Sequence, residues 1–293
     1  MALEQLDLRG YDLVISSESG PAKGVIPPAD ALHVCYCHTP MRYIWNMYHD
    51  YRKSAGRMAR LMMPPLSHYL RMWDVTSAER VDSFIANSAT VARRIRRYYG
   101  ADSVVIHPPV DTNAFSIAAP SELEDYFLMA GELVSYKRAD LAVRAFNEMK
   151  LKLIVIGGGE MLDEIRRISG PTVTVLGPQP FDVLKHHYAR CRALIFPGEE
   201  DFGMVPVEAM ASGRPVVAYG RGGATETVVE GVSGVFFTEQ TVEAISAAVK
   251  NLAGIKIDPE KIAARARQFG QDQFFQKMRT HIDGLLAERA SSH

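Results

Sequence analysis

The chain has 293 residues, 47% hydrophobic and 23% charged, with a formal net charge of −1. That length suits about two domains. The composition excludes a disordered or fibrous chain, and the balanced charge gives no global attraction to nucleic acid. Three cysteines, two of them at positions 35 and 37, fit neither a disulfide framework nor a zinc or thioredoxin motif, so reduced thiols and a cytoplasmic setting are expected. No secretory signal and no apolar run of membrane-spanning length is present.

In chain order, residues 1–115 predict strands at 11–16, 32–37, 83–87 and 104–107, with long helices over 40–80 and 88–99. Residues 42–100 carry 11 Lys/Arg against 4 Asp/Glu. Within that range Arg52, Lys53, Arg57, Arg60 and the cluster Arg93, Arg94, Arg96 and Arg97 are interleaved or flanked by Met58, Leu61, Met62 and Met63. Such a mixture is either a solvated basic face or a surface for anionic lipid headgroups. Residues 111–122, small and marked by Pro120, read as a linker.

From residue 126 the pattern alternates strand and helix. Strands are predicted at 126–130, 153–156, 173–176, 193–196, 215–218 and, more weakly, 234–237. Helices are predicted at 138–149, 160–168, 181–191, 205–212 and 242–252. Near-continuous apolar strands with helical crossovers imply a parallel sheet covered on both faces. The turns after its strands carry Gly131, Gly157-Gly-Gly159, Gly177, Gly198 and Gly220. Ligands of such sheets bind outside the carboxyl ends of the strands, where these turns fall. For Gly157–Gly159 taken alone, a tight turn is as good a reading as a binding loop. Residues 259–286 are predicted as one last helix, with Phe269, Phe274, Phe275 and Met278 as an uneven apolar face. The expected organisation is 1–115, a partial Rossmann-like domain; 116–270, a complete one; and 271–293, a helix packing back on the first.

The most informative segment is Gly198-Glu-Glu-Asp-Phe-Gly-Met-Val-Pro-Val-Glu-Ala-Met-Ala-Ser-Gly213. It reads as a polar loop entering a short helix, with Pro206 in the first turn and Gly213 at the stop. A helix start offers N–H groups and a positive dipole end to a phosphate. Ionised carboxylates only accept hydrogen bonds, which suits them to sugar hydroxyls. Glu200 and Glu208, eight positions apart, therefore suit a sugar nucleotide.

This stretch resembles the E-x7-E signature of family-4 retaining glycosyltransferases, which have the GT-B fold of two Rossmann-like domains. Ala130-Gly-Glu-Leu-Val-Ser-Tyr-Lys137-Arg138 resembles that family's phosphate loop, and Gly222-Gly-Ala-Thr-Glu226-Thr-Val its later glycine loop. Tyr36-Cys-His38-Thr-Pro-Met-Arg42-Tyr resembles a motif of its mannosyltransferase-like subgroup. The segments occur in family order over roughly residues 10–250. The resemblance implies transfer of a hexosyl group, mannosyl by the subgroup motif, from a GDP- or UDP-linked sugar to a glycan or lipid-linked acceptor in polysaccharide or lipopolysaccharide assembly. The cysteines point to the cytoplasm, and the basic face, where it is not simply solvated, to peripheral contact at the inner face of an anionic membrane.

By the same resemblance Glu208 accepts from the ribose hydroxyls, and its place early in a helix favours the ionised form. Glu200 faces the donor sugar, and Lys137 neutralises the departing diphosphate. His38 lies by the transferring centre. The backbone of Gly131, Gly203, Met204 and Val205 and the segment from Leu176 to Gln179 hold phosphate and base. Glu226 belongs near the nucleotide or sugar, and Arg42 near an anionic acceptor. No Asp-x-Asp pair occurs, and the family generally needs no metal or other cofactor for transfer.

Two features depart from the family. Glu132 stands where an arginine usually follows the glycine, leaving Arg138 or Arg221 to compensate. The first half of the N-terminal domain has no counterpart before residue 1, which predicts an exposed strand edge and hence a homo-oligomer or a partner chain. The rival readings are a nucleotide-sugar-binding protein without transferase activity, one half of a split transferase, and an epimerase on the same fold.

Overall fold

The structure, a computed structural model, describes residues 2–292. It divides into two compact units: the first runs to His107 and includes the chain from Gln276 onward, the second is Pro108–Phe275. All strand pairs among the described residues are parallel.

The first unit contains β1 (Leu13–Glu18), β2 (Leu32–Cys37), α1 (Tyr48–Ser54), α2 (Arg57–Ala78), β3 (Ser83–Ala86), α3 (Ala89–Tyr99) and β4 (Ser103–Val105). Its sheet order is β1-β2-β3-β4, so β1 is an edge strand, and Ile15 on it is exposed. Every residue of β2 is buried, as a central strand between two parallel neighbours requires. Ser88 caps α3 through Val91 N–H, and Gly100 at φ +70° ends it.

A buried charge network ties these elements together, and no sequence pattern had announced it. Lys23, 1% exposed, ion-pairs with Asp74 of α2 and lies 3.7 Å from Glu18 at the end of β1. Asp74 also accepts from Trp45 Nε1 at 2.7 Å and from Tyr99 OH at 2.9 Å. Glu18 accepts from the N–H groups of Gly20 and Ala22. Burial nevertheless raises its pKa, against the pull of Lys23 and those amides.

The second unit contains β5 (Phe127–Ala130), α4 (Ala139–Met149), β6 (Leu153–Ile156), α5 (Leu162–Ile168), β7 (Val173–Gly177), α6 (Phe181–Arg190), β8 (Leu194–Phe196), α7 (Met204–Ala211), β9 (Val216–Tyr219), α8 (Ala224–Thr227), β10 (Gly234–Phe237), α9 (Val242–Leu252) and α10 (Pro259–Arg267). Its strand order, β10-β9-β8-β5-β6-β7, reverses direction between β5 and β8, the doubly wound topology with its switch point there. The sheet has a core on each face. Phe127, Met129, Val155, Ile195 and Val217 pack with α4 and α9, while Leu128, Ala130, Leu194, Phe196 and Val216 pack with α7, α10 and Tyr188 of α6. Burial on both faces is why these strands read as unbroken apolar runs.

Three expectations change here. The segment 111–122 is no free linker: Val110 N–H bonds Phe269 O at 3.0 Å, and Phe115 is buried against Tyr188. The single helix expected over 259–286 is two, α10 and then α11 (Gln271–Ser292). The break falls at Gln268–Gly270, where Phe269 inserts into the second unit's core beside Phe202 and Gly270 bridges to Val110. The expected apolar face therefore divides, with Phe269 buried in the second unit and Phe275 exposed. From Gln276 onward α11 belongs to the first unit, where His281 Nε2 meets Ser83 Oγ at 2.9 Å and Arg289 donates to Ala31 O.

Candidate active site

The switch point of the second unit lies at the carboxyl ends of β5 and β8, and the loops that follow these strands carry the strongest candidates. Lys137 Nζ stands 3.1 Å from Glu200 Oε1, both side chains largely buried at 16% and 17% exposure. That oxygen is shut off from solvent and has no hydrogen-bond partner beyond this ion contact.

Glycines make the convergence possible. Gly131 has φ +124°, and a Cβ there would lie 3.7 Å from Lys137 Nζ and 3.8 Å from Val205 Cγ2. A Cβ on Gly198 would meet Lys137 Cα at 2.6 Å, so the loop after β8 rests directly on the backbone beneath the lysine. Gly223 N–H donates to Glu200 O at 2.8 Å, and a Cβ on Gly222 would sit 2.3 Å from that oxygen. The later glycine loop thus fixes the Glu200 backbone, while its own Glu226 and Thr227 carbonyls accept from Arg265.

Gly157 and Gly159 serve the same purpose. Their Cβ positions would fall 1.8 Å from Gly131 O and 2.6 Å from Leu133 O. They let one loop press against the next and do not themselves form a cradle. The reading of this turn that needs no ligand accounts for them.

Helix α7 starts at Gly203, φ +81°, with no side chain capping it. Its first N–H groups, on Gly203, Met204 and Val205, remain open to a ligand. Glu208 lies one turn in, half-buried, and its Oε2 accepts from Tyr188 OH at 2.8 Å. The helix start is not the only influence on the charge of Glu208. Burial raises its pKa, and the Tyr188 hydrogen bond offsets this only in part. Tyr188 is fully buried, with its own pKa pushed far up by burial first and then by the charges of Glu208 and Glu200. Both carboxylates therefore act on this one hydroxyl. Tyr188 is the functional candidate that motif reasoning missed; its only signal was its place on the buried face of a predicted helix.

Because the folded pKa of Glu208 lies above its unfolded value, the folded state binds the proton more tightly. Its burial then costs stability progressively as pH rises above the ordinary glutamate range near 4.5. Glu208→Gln is expected to gain thermal stability relative to the parent as pH rises from 4 to 8. A melting difference independent of pH would contradict this.

Among the remaining candidates, Arg138 adopts the left-handed region at φ +56° and directs its guanidinium to Asp140, 3.1 Å away. Arg221 lies over the Tyr219 ring, and Glu132 is exposed. Leu176 O accepts from Gln179 Nε2 at 2.9 Å, so that carbonyl already has one partner. In the first unit, His38 follows β2, its N–H bonding Glu18 O at 2.7 Å and its Nε2 meeting Ser17 Oγ at 3.0 Å. The ring packs edge-on to Tyr36, and partial burial lowers its pKa, which keeps the imidazole neutral at pH 7. Arg42 is half-buried after the same strand. Among the described residues no group of three or more His, Cys, Asp or Glu gathers as metal ligands.

The family model for glycosyl transferases group 1 matches residues 111–269, more than half of the chain and nearly all of the second unit. The chain belongs to this family. Residues 1–114 match the model for glycosyltransferase family 4. A D-inositol 3-phosphate glycosyltransferase of Nocardiopsis dassonvillei is 32% identical over 189 residues, 53% of this chain and 44% of that protein. A GDP-mannose-dependent α-(1-6)-phosphatidylinositol monomannoside mannosyltransferase of Mycolicibacterium smegmatis is 30% identical over 218 residues, 61% and 56% of the two. The chain thus spans about half the length of the curated relatives it matches. Sucrose-phosphate synthase from Thermosynechococcus elongatus superposes with a TM-score of 0.74 at 20% identity, over 95% of this chain and 75% of that one, a likeness of fold. The α/β, GT-B-like architecture expected from the motifs is thereby established for this family member.

Proposed function

We propose that the protein transfers a hexosyl group from a nucleoside-diphosphate sugar to an acceptor hydroxyl with retention of anomeric configuration. The observation that carries this reading is the Lys137–Glu200 pair at the switch point of the second sheet, with the uncapped start of α7 beside it. In the proposed reaction the diphosphate takes the α7 N–H groups and the Lys137 ammonium, which together stabilise the charge that grows on the leaving group. Glu208, steadied by Tyr188, accepts from the ribose hydroxyls, and Glu200 turns to the sugar. Neutral His38, on the first unit, bonds a sugar or acceptor hydroxyl. No metal or other cofactor takes part in this proposal.

Mannose is the proposed sugar, supported by the segment from His38 to Tyr43 and by the relative named for GDP-mannose. Calorimetric titration with GDP and UDP, followed by transfer and hydrolysis assays with labelled GDP-mannose and UDP-glucose, tests the reading. Binding of neither diphosphate would end it. One observation favours a second reading, a binder of nucleotide sugars without transfer. Arg138 is engaged with Asp140 and Glu132 supplies no cation, which leaves Lys137 as the charge beside Glu200. Diphosphate binding with neither transfer nor hydrolysis would select it.

The proposed acceptor is a glycan or a lipid-linked molecule at the inner face of a membrane. On α1 and α2, Arg52, Lys53, Arg57 and Arg60 accompany Met58, Leu61 and Met62, the last three 74%, 72% and 56% exposed. Exposed apolar side chains among cations suit an anionic lipid surface. No described helix is long and apolar enough to cross a membrane. The protein is expected to co-sediment with vesicles containing anionic lipid. Reversing Arg57 and Arg60 to glutamate should weaken this by about thirtyfold or more, at roughly 1 kcal/mol per basic residue removed. Equal sedimentation with neutral vesicles would refute the electrostatic part. The open edge of β1 is the proposed pairing site for a second copy or a partner chain, which sedimentation equilibrium would register as mass above the monomer.

A further inference from the structure

The second unit has a cavity of about 600 Å³ at the amino-terminal ends of its strands, the opposite end of the sheet from Lys137 and Glu200. Phe127 opens β5 there, Cys191 and Arg192 lead into β8, and Arg214 and Pro215 lead into β9. The volume falls in the range of small-molecule sites. Most of the lining is apolar, with Leu252, Ile255 and Ile257 on one side.

Arg214 breaks that pattern. It is 4% exposed, and its side chain makes one hydrogen bond among the described residues, from Nε to Ser212 O at a long 3.4 Å. Among the described residues its two terminal nitrogens have no protein partner and no carboxylate stands within ion-pair distance. The other guanidinium in the wall, Arg192, is engaged, 3.0 Å from Asp125 and over the Phe127 ring. Of the wall carboxylates, Glu260 lies 3.7 Å from Arg267 and Glu124 3.8 Å from His186. Burial lowers the Arg214 pKa, yet a guanidinium remains protonated in a protein. The fold therefore turns a largely buried cation, without a counter-charge among the described residues, toward a mostly apolar cavity, where an anion would complete it.

We propose that this cavity is a second ligand site, for a small amphipathic anion whose carboxylate or phosphate head takes the Arg214 guanidinium and whose apolar body lies against Leu252, Ile255 and Ile257. The proposal stands apart from the donor site. A planar guanidinium pairs in fork geometry with either head group, and the apolar lining accounts for the rest of the ligand.

Calorimetric titration of decanoate, decyl phosphate and uncharged decanol into the whole chain tests this. At least one anion should bind more tightly than decanol, and the tighter of the two identifies the head group. Arg214→Met should weaken that anion by about tenfold or more, the usual worth of a charge-assisted hydrogen bond. Decanol should change less than about twofold in the same variant. Ala253→Trp, at the exposed end of α9 on the cavity rim, should abolish binding of all three and decides the matter if Arg214→Met fails to fold. GDP titrated into the same samples should bind equally to parent and variants, which separates this site from the donor site. The proposal is overturned if neither anion binds the parent, if Arg214→Met binds the anion as the parent does, or if Ala253→Trp leaves binding intact.

Discussion

Lys137→Met is expected to slow sugar transfer by about 10²–10³-fold while the protein still folds, the usual loss when one preorganised group that stabilises developing charge is removed. Methionine keeps the length and apolar stem of lysine, so packing against Gly131 and Gly198 survives. What disappears is the ammonium 3.1 Å from Glu200. The deficit should lie mainly in kcat, because charge on the diphosphate grows as the sugar departs, whereas KM also reports contacts that do not change during the reaction. Lys137→Arg should recover only part of the rate, since a flat fork does not sit where a compact point charge sat. Equal rates for the parent and Lys137→Met under single-turnover conditions would remove this lysine from the mechanism.

Gly157→Ala should cost about 3–5 kcal/mol, a large share of the stability of any domain. Two causes combine. The backbone sits at φ +146°, which side chains disfavour, and the added Cβ would lie 1.8 Å from Gly131 O, inside any tolerable contact. The neighbouring loop has to retreat, and it is the loop that carries Lys137. For a domain of this size each kcal/mol is about 2–4 °C, so the second unit should melt about 10 °C lower. Gly231→Ala is the control. That residue also has positive φ, +74°, but nothing lies within 4 Å of its Cβ position, so only backbone strain of about 1–2 kcal/mol applies. If the two variants melt together, the steric part of the argument is wrong.

Much of the second unit was legible because burial on both faces leaves a plain mark. Leu153–Ile156 and Gly234–Phe237 are strands at their predicted ends, and α9 spans the predicted 242–252. Glu200 was legible through its spacing from Glu208 and Lys137 through the resemblance of its segment to a phosphate loop, and the fold brings them together. Features set by distant packing were not legible. Tyr188 matters because α6 delivers its hydroxyl to Glu208, twenty positions later in the chain. The stop at Gly270 depends on Phe269 finding Phe202, and nothing near Phe269 in sequence says so. The upward pull on the Glu208 pKa was not legible for the same reason: its helix position is local, whereas its burial is a property of the whole sheet. The salt network around Lys23 was not legible because Asp74 and Tyr99 lie far from Glu18 and Lys23 in sequence and obey no common period with them.

The Lys137–Glu200 pair also bears on discrimination by valence. An anion approaching this lysine competes with a tethered rival already in place. A visitor of single charge exchanges one partner for another and gains little, so chloride should be held weakly. A diphosphate has charge to spare for both the ammonium and the open helix end, and it leaves the displaced carboxylate free to engage the sugar. The resident glutamate would thus act as a threshold, favouring ligands that bring two linked anionic groups over those that bring one.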